Sequence, residues 1–373
     1  MHLPFCAAKC HYCDFYSVPA LGQDIDAVVD AVLTEARHRA PARPQTVFIG
    51  GGTPSLLDRG QLERFLSGLD EATGYRDSAI EVTLECNPES LDEDKARLLL
   101  DHGVRRLSIG FQSLDHDTLT LFGRVHDVDQ SFRAFEAARR AGVDDLNVDL
   151  IYASPGHTAE AWSSALARVL DLGPDHLSAY NLAFEEDTVF RRWLEKGTLA
   201  PLDEELELEL LAITRELTLT AGLEAYEVSN YARPGRACRH NENYWANGEY
   251  VGIGPSAVGL VGGLRAGNLR GTTAYAEAIA REGHAREWTE RLEPSARLGE
   301  TWWLGLRRTR GVDPSEARAV SGVAEEADLA VATAEQLVEH GLLVLDQGRY
   351  RLTERGLPLA DRVAREFLAD APA

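Results

Sequence analysis

The sequence predicts an α/β fold: a partial, TIM-like (β/α) barrel of about six units, followed by a mostly helical, winged-helix-like C-terminal unit. Three observations predict it. Short apolar runs alternate with amphipathic stretches from residue 24 to about residue 230. The amphipathic stretches space their apolar residues about 3.6 apart, and glycines stand where helices should end. Strand, helix, strand at this spacing favours right-handed crossovers and a parallel sheet. Repetition over about six or seven units fits a full or partial barrel better than a flat doubly wound sheet.

In chain order, the strand-like runs are 46–50, 79–86, 105–111, 145–152, 176–182 and 224–229. Helix-like stretches at 25–39, 60–71, 92–102, 130–141 and 159–172 lie between them. In the second of these, Leu62, Phe65, Leu66 and Leu69 share one helical face. Gly103, Gly142 and Gly173 occupy C-terminal cap positions just before the next strand. The pattern changes after a Gly-rich segment at 252–271. From about residue 294 it reads helix, short helix, helix, then strand-like segments at 342–346 and 349–353 around Gln347-Gly348. A last helix begins near residue 357. The expected divisions are a barrel core at 1–235, a connecting region at 236–290 and a C-terminal unit at 291–373. A winged helix suggests DNA binding, but the would-be recognition helix at 324–340 carries Glu325, Glu326, Asp328, Glu335 and Glu339, with no Lys or Arg. Such a helix repels phosphate and gains nothing from counterion release, so it reads as a packing module.

Composition narrows the function. Among 373 residues, 38 are basic and 60 acidic, for a net charge of −22. That balance argues against a nucleic-acid partner and against docking on anionic lipid. Apolar residues at 44% indicate a globular chain. No run approaches the ~18 apolar residues of a membrane span, and no basic segment followed by an apolar one marks a secretory signal. Of five cysteines, three fall within eight residues and the total is odd. A secreted disulfide framework does not have that distribution, so the expected compartment is the cytoplasm.

The chemistry is concentrated in Cys6-Ala7-Ala8-Lys9-Cys10-His11-Tyr12-Cys13, a CxxxCxxC loop straight after the first short strand. Three thiolates this close can hold an iron–sulfur cluster, each bonding one iron, which leaves one iron of a [4Fe–4S] cube open to a small chelator. Zinc is the alternative, with His2 or His11 as the fourth ligand. Gly50-Gly51-Gly52-Thr53-Pro54 directly follows a strand. Glu85 in Glu85-Cys86-Asn87-Pro88, Gln112 in Phe111-Gln112-Ser113 and Asp149 in Val148-Asp149-Leu150 belong to later strands, where barrel enzymes hold reactive groups. Arg124 lies in Gly123-Arg124-Val125-His126. Taken singly, each is better read as a capping or turn residue.

Together these motifs resemble the radical S-adenosylmethionine (SAM) superfamily over nearly the whole chain. The resemblance implies that Cys6, Cys10 and Cys13 hold a [4Fe–4S] cluster and that SAM chelates its open iron. Gly51, Gly52 and Thr53 then form the edge that takes the SAM ammonium on backbone groups, with Glu85 accepting from the same ammonium. Glycine leaves room for that close approach. Gln112 and Asp149 match positions that bind the ribose hydroxyls, and Arg124 matches the position that pairs with the SAM carboxylate. Tyr12, just before Cys13, is the aromatic neighbour on the SAM adenine or cluster side.

Within the superfamily, the chain is most similar to the branch of oxygen-independent coproporphyrinogen III oxidases and HemW heme chaperones. His176-Leu177-Ser178-Ala179-Tyr180 and the segment 226–235 recur in that branch. His240-Asn241-Glu242-Asn243-Tyr244-Trp245 matches the heme-associated HNxxYW motif. A neutral imidazole beside aromatic rings suits an axial heme ligand, with Tyr244 and Trp245 offering apolar area to the macrocycle. A structural histidine in an aromatic corner is the alternative. Phe15 stands where the oxidases carry a fourth cysteine, and no extension precedes the cluster loop. The resemblance therefore implies a cytoplasmic heme chaperone that binds heme, a [4Fe–4S] cluster and SAM. Its expected partners are a heme-acceptor protein, reached by transient contact if membrane-bound, and an electron donor. Oxidative decarboxylation of two propionates by a coproporphyrinogen III oxidase is the alternative, and a zinc-stabilised interaction module is the reading from another class. Whether SAM cleavage serves heme delivery stays open. Two positions depart from the family: its Tyr six residues before the first Cys would precede Met1, which reads as a late start, and Val258 stands near a usual His.

Overall fold

The computed structural model describes residues 1–368. The chain opens on β1 (His2–Leu3) and a short parallel pair, β2 (Phe5–Cys6) and β3 (Val18–Pro19), which brackets the cysteine loop. Strands β4 (Thr46–Gly51), β5 (Glu81–Cys86), β6 (Arg106–Gln112), β7 (Asp145–Tyr152) and β8 (His176–Asn181) follow, alternating with helices. With β1 they form six parallel strands in the order β1-β4-β5-β6-β7-β8. Two short strands, β9 (Glu224–Ala225) and β10 (Asn230–Ala232), extend the sheet as β8-β10-β9. The outer strands β1 and β9 do not pair with each other, so the barrel is open between them.

The run at 224–229 does not form another parallel strand. Both β10 pairings are antiparallel, with Tyr231 opposite Leu177 on one side and Ala225 on the other. The reversal has a local cause: the buried Glu227 carboxylate accepts from Ser229 N at 2.8 Å and Asn230 Nδ2 at 2.6 Å, which folds the chain back.

The helices follow the apolar periodicity and end on their caps. Helix Arg59–Thr73 buries Leu62, Phe65, Leu66 and Leu69, and Asp58 and Gln61 form a capping box at its start. The stretch expected from residue 130 begins earlier, at Val128, because Asp127 and Gln130 build the same box. Five helices lack a signal strong enough to read: His116–Phe122, Val189–Glu195, Glu204–Thr220, Arg239–Trp245 and Thr272–Glu282. Three are a single seven-residue piece each, too short to display a period. The Gly-rich connector also holds an antiparallel sheet of β11 (Val258–Val261), β12 (Leu264–Asn268) and β13 (Arg286–Arg291).

Strand alternation separates two environments. Val47, Ile49, Val82, Leu84, Leu107, Ile109, Leu146, Val148 and Leu177 belong to the main apolar core. The alternate positions are Thr46, Phe48, Thr83, Glu85, Arg106, Ser108, Asn147, Asp149, His176 and Ser178, a largely polar face. The candidate site residues Glu85 and Asp149 lie on that second face.

The C-terminal segment keeps the predicted order: helices Pro294–Gly305, Pro314–Ser321 and Ala330–Glu339, the hairpin β14 (Leu343–Asp346) and β15 (Arg349–Leu352), then helix Ala360–Arg365. It has an apolar cluster of its own around Leu298, Trp302, Tyr350 and Phe367, with the Trp302 and Phe367 rings stacked 4.8 Å apart. The helix expected at 324–340 is broken. Asp328 accepts from Ala330 N at 3.0 Å and pairs with Arg318 at 3.1 Å, starting a new helix after a 3-10 turn at Glu325–Ala327. Among the described residues, no helix is long and apolar enough to cross a membrane.

Candidate functional site

Cys6 ends β2, and Cys10 and Cys13 follow in a loop closed by Cys13 N on Cys10 O and Ala20 N on Cys6 O at 2.9 Å. All three thiols are free and partly exposed, whereas Cys86 and Cys238 are buried elsewhere. His11 is turned into the protein: Nδ1 meets Leu121 O at 2.8 Å, and its ring packs edge-on against Trp193 at 5.0 Å. Tyr12 packs edge-on against Phe122 at 4.9 Å, and burial raises its hydroxyl pKa. His2 has its Nδ1 against Pro255 O. Among the described residues, no three His, Cys, Asp or Glu side chains converge as a mononuclear ion needs. With His2 and His11 both engaged on backbone carbonyls, the three thiols stand without a fourth protein ligand among the described residues, a donor set that suits cluster cysteines each bonding a different iron.

Side chains from the strand ends surround this loop. Thr53 Oγ1 lies 3.6 Å from Cys6 Sγ. Arg124 sets Nη1 3.5 Å from Cys10 Sγ, and its Nη2 donates at 2.8 Å to both Asn87 Oδ1 and Gly110 O. The guanidinium therefore ties the cysteine loop to the ends of β5 and β6. Glu85 Oε2 accepts from Gly51 N at 3.0 Å. Burial pushes the Glu85 carboxyl up to about 7, and the nearby Asp149 charge adds to the shift. Asp149 accepts from Ser108 Oγ at 2.9 Å and Asn147 Nδ2 at 2.7 Å; burial raises its carboxyl as well. Gln112 closes β6 at a register shift, with φ of +66°. The structure thus gathers Thr53, Glu85, Gln112, Arg124 and Asp149 around one end of the sheet.

The glycines have a reason beyond ligand approach. Gly51 has φ of +106°, and a Cβ at Gly52 would lie 2.6 Å from the Phe5 carbonyl oxygen. Packing of the cysteine loop onto this edge already requires them.

His240 stands at the opposite end of β4. Its helix, Arg239–Trp245, is capped by the buried Glu81 carboxylate, which accepts from Arg239 N at 2.8 Å and His240 N at 3.0 Å. His240 Nδ1 lies 2.8 Å from Thr46 Oγ1, and Nε2 lies 2.9 Å from the Tyr244 hydroxyl. The ring stacks on Phe48 at 5.3 Å, with Tyr244 edge-on at 4.8 Å. Burial lowers its pKa to about 4, so the imidazole is neutral at neutral pH. Trp245 departs from expectation: Arg307 lies over its ring at 4.9 Å, and it is not among the residues lining the adjacent cavity. That cavity, of about 1060 Å³, runs from His240 and Tyr244 past Phe48 to Gly50, Gly51 and Glu85, with Phe15 and Tyr16 also on its wall.

Sequence reasoning missed Glu81, and it missed a polar chain in which His176 bridges Asn147 Oδ1 at 2.7 Å and the Tyr226 hydroxyl at 2.9 Å. In the sequence, His176 and Tyr226 stand out only as members of recurring segments. Alternation of polar residues along β6, β7 and β8 was the available signal.

Comparison with known proteins shows the family and the fold. A family model described as the Radical SAM superfamily matches residues 1–169, and one described as the HemN C-terminal domain matches residues 292–359. The chain is 34% identical to the heme chaperone HemW of Lactococcus lactis, over 99% of this chain and 96% of that protein. It is 33% identical to the heme chaperone HemW of Bacillus subtilis, over 99% and 98%. Mitochondrial radical S-adenosyl methionine domain-containing protein 1 of Mus musculus is 33% identical over 99% of this chain and 86% of its own length. The solved structure of coproporphyrinogen III oxidase (HemN) from Escherichia coli superposes with a TM-score of 0.84, covering 99% of this chain and 89% of that one. At 24% identity, that match shows a shared fold. With identity above 30% across almost its whole length, the chain belongs to the HemW heme chaperone family of radical SAM proteins.

Proposed function

We propose that this chain is a heme chaperone that holds heme on His240 and passes it to an acceptor protein. The observation that carries the reading is the single cavity joining Gly50, Gly51 and Glu85 to His240 and Tyr244. One compartment serves both a cofactor edge and a neutral imidazole walled by aromatic rings, which suits an apolar macrocycle with a coordinating metal.

Cys6, Cys10 and Cys13 would hold the [4Fe–4S] cluster of the superfamily, which supplies one-electron chemistry to SAM when bound. The chain's own residues do the rest. Glu85 and the Gly51–Thr53 edge would take the SAM ammonium, and Asp149 and Gln112 the ribose hydroxyls. Arg124 offsets thiolate charge at Cys10 and keeps a planar donor for a carboxylate. An electron donor and a heme-acceptor protein, soluble or membrane-bound, are the implied partners, and the cytoplasm the implied compartment. Phe15, in place of a fourth cysteine, favours the chaperone over the oxidase.

Anaerobic titration of the cluster-loaded protein with hemin, wild type against His240→Ala, tests the reading. The variant should bind hemin more weakly, with an altered Soret band. Equal affinity and identical spectra would remove His240 from the proposal. Robust conversion of coproporphyrinogen III to protoporphyrinogen by the wild type would favour the oxidase instead.

A further inference from the structure

Heme is an apolar disc with two carboxylates on one edge, so a site for it needs aromatic walls and a cationic border on one side. The cavity beside His240 has both. Phe48, Tyr244 and Tyr250 contribute rings to its wall, and Arg43, Arg239 and Arg310 also line it. In a chain of net charge −22, arginines commonly hold carboxylates, as Arg39, Arg139, Arg265 and Arg349 do. Among the described residues, the guanidiniums of Arg43, Arg239 and Arg310 have no ion-pair or hydrogen-bond partner. Glu316, whose carboxyl feels the Arg310 charge, is engaged by Arg349.

Two of the three arginines stand at the strand-start end of the cavity, since Arg43 precedes β4 and Arg239 N sits on Glu81 at the start of β5; Arg310 lines the same cavity. The other end is bounded by Gly50, Gly51 and Glu85. Of the other lining acids, Glu249 accepts from Gly262 N at 2.7 Å, and Glu242 follows His240 on its short helix.

We propose that Arg43, Arg239 and Arg310 form the propionate-binding rim of the heme cavity, which seats heme with its carboxylates at the strand-start end and its opposite edge toward Gly51 and Glu85. The inference rests on the chaperone reading and adds an orientation to it. Planar guanidiniums match carboxylates in two-oxygen contacts. The reverse orientation would bring the propionates against the Glu85 carboxyl and leave the three cations without partners. Because the rim is exposed, its attraction should weaken as salt rises.

The test uses full-length, cluster-loaded protein, hemin and hemin dimethyl ester, whose propionates carry no charge. The variants are the triple Arg43→Gln/Arg239→Gln/Arg310→Gln and His240→Ala, each checked for its thermal melt. At about tenfold per engaged propionate, the wild type should bind hemin about 100-fold tighter than the ester, most clearly at low salt. The triple variant should lose that preference while keeping the wild-type affinity for the ester. Equal wild-type affinity for the two porphyrins, or wild-type hemin affinity in the triple variant, would overturn the rim. Should His240→Ala keep the wild-type Soret band, the axial-ligand reading fails, and the diacid preference still decides the rim. Absence of hemin binding to the wild type sinks both.

Discussion

The Tyr244 hydroxyl lies 2.9 Å from Nε2 of His240, while Thr46 Oγ1 lies 2.8 Å from Nδ1 of the same ring. A neutral imidazole has one N–H and one lone pair. With Nδ1–H donating to Thr46, the hydroxyl donates to the Nε2 lone pair, which is the electron pair that iron would take. On the proposed ligation by His240, heme binding would exchange this hydrogen bond for the metal bond. Tyr244→Phe removes the competitor, and a neutral hydrogen bond is worth about 0.5–1.5 kcal/mol net. The variant should bind hemin about two- to tenfold tighter in an anaerobic titration. Weaker binding would mean that Tyr244 supports the ligand and does not restrain it.

Glu85 gives a pH dependence with a definite sign. Burial raises its carboxyl from 4.5 to about 7, so near pH 6 it is mostly protonated and offers no charge to an ammonium group. SAM affinity of the reconstituted protein should rise with pH through about 7 and level off above it. Glu85→Gln should flatten the profile at the low-pH level, read by calorimetric titration. Without SAM, the linkage runs the other way. A carboxyl whose folded pKa is raised favours folding fully below its unfolded pKa, and that contribution is lost as pH rises through about 7. Glu85→Gln should therefore raise Tm at pH 8 and leave it nearly unchanged at pH 5. A wild-type SAM profile that is flat across this window would remove Glu85 from ammonium binding.

These two residues differ in how openly the sequence displays them. The cysteine loop is local, since spacing alone brings its thiols together, and Glu85, Gln112 and Asp149 are announced by the strands that carry them. The surroundings of His240 are not local. Its ring partner Thr46 is 194 residues away and its helix cap Glu81 is 159 away, and no pattern within the seven-residue helix points to either. The reversal at 224–232 was equally hidden, because a single side chain, Glu227, turns an apolar run into two antiparallel strands. Trp245 shows the opposite failure. Its place in a motif suggested a heme contact, yet tertiary packing sets it beneath Arg307.

Glu81 should position His240 without touching heme. A seven-residue helix is not stable by itself. Its first turn depends on a carboxylate that accepts from Arg239 N and His240 N and lies 3.4 Å from Cys238 Sγ. Such a cap is worth about 0.5–2 kcal/mol, and an anion is favoured at a helix N-terminus. Glu81→Ala should lower Tm and leave the backbone N–H groups of Arg239 and His240 without this acceptor. It should also weaken hemin binding toward the His240→Ala level, with a broadened Soret band as the imidazole loses a fixed orientation. Glu81→Gln keeps an acceptor oxygen and should recover most of the affinity. If Glu81 acts on stability alone, well below the melt both variants would bind hemin with wild-type affinity and spectrum, and the positioning role would be lost.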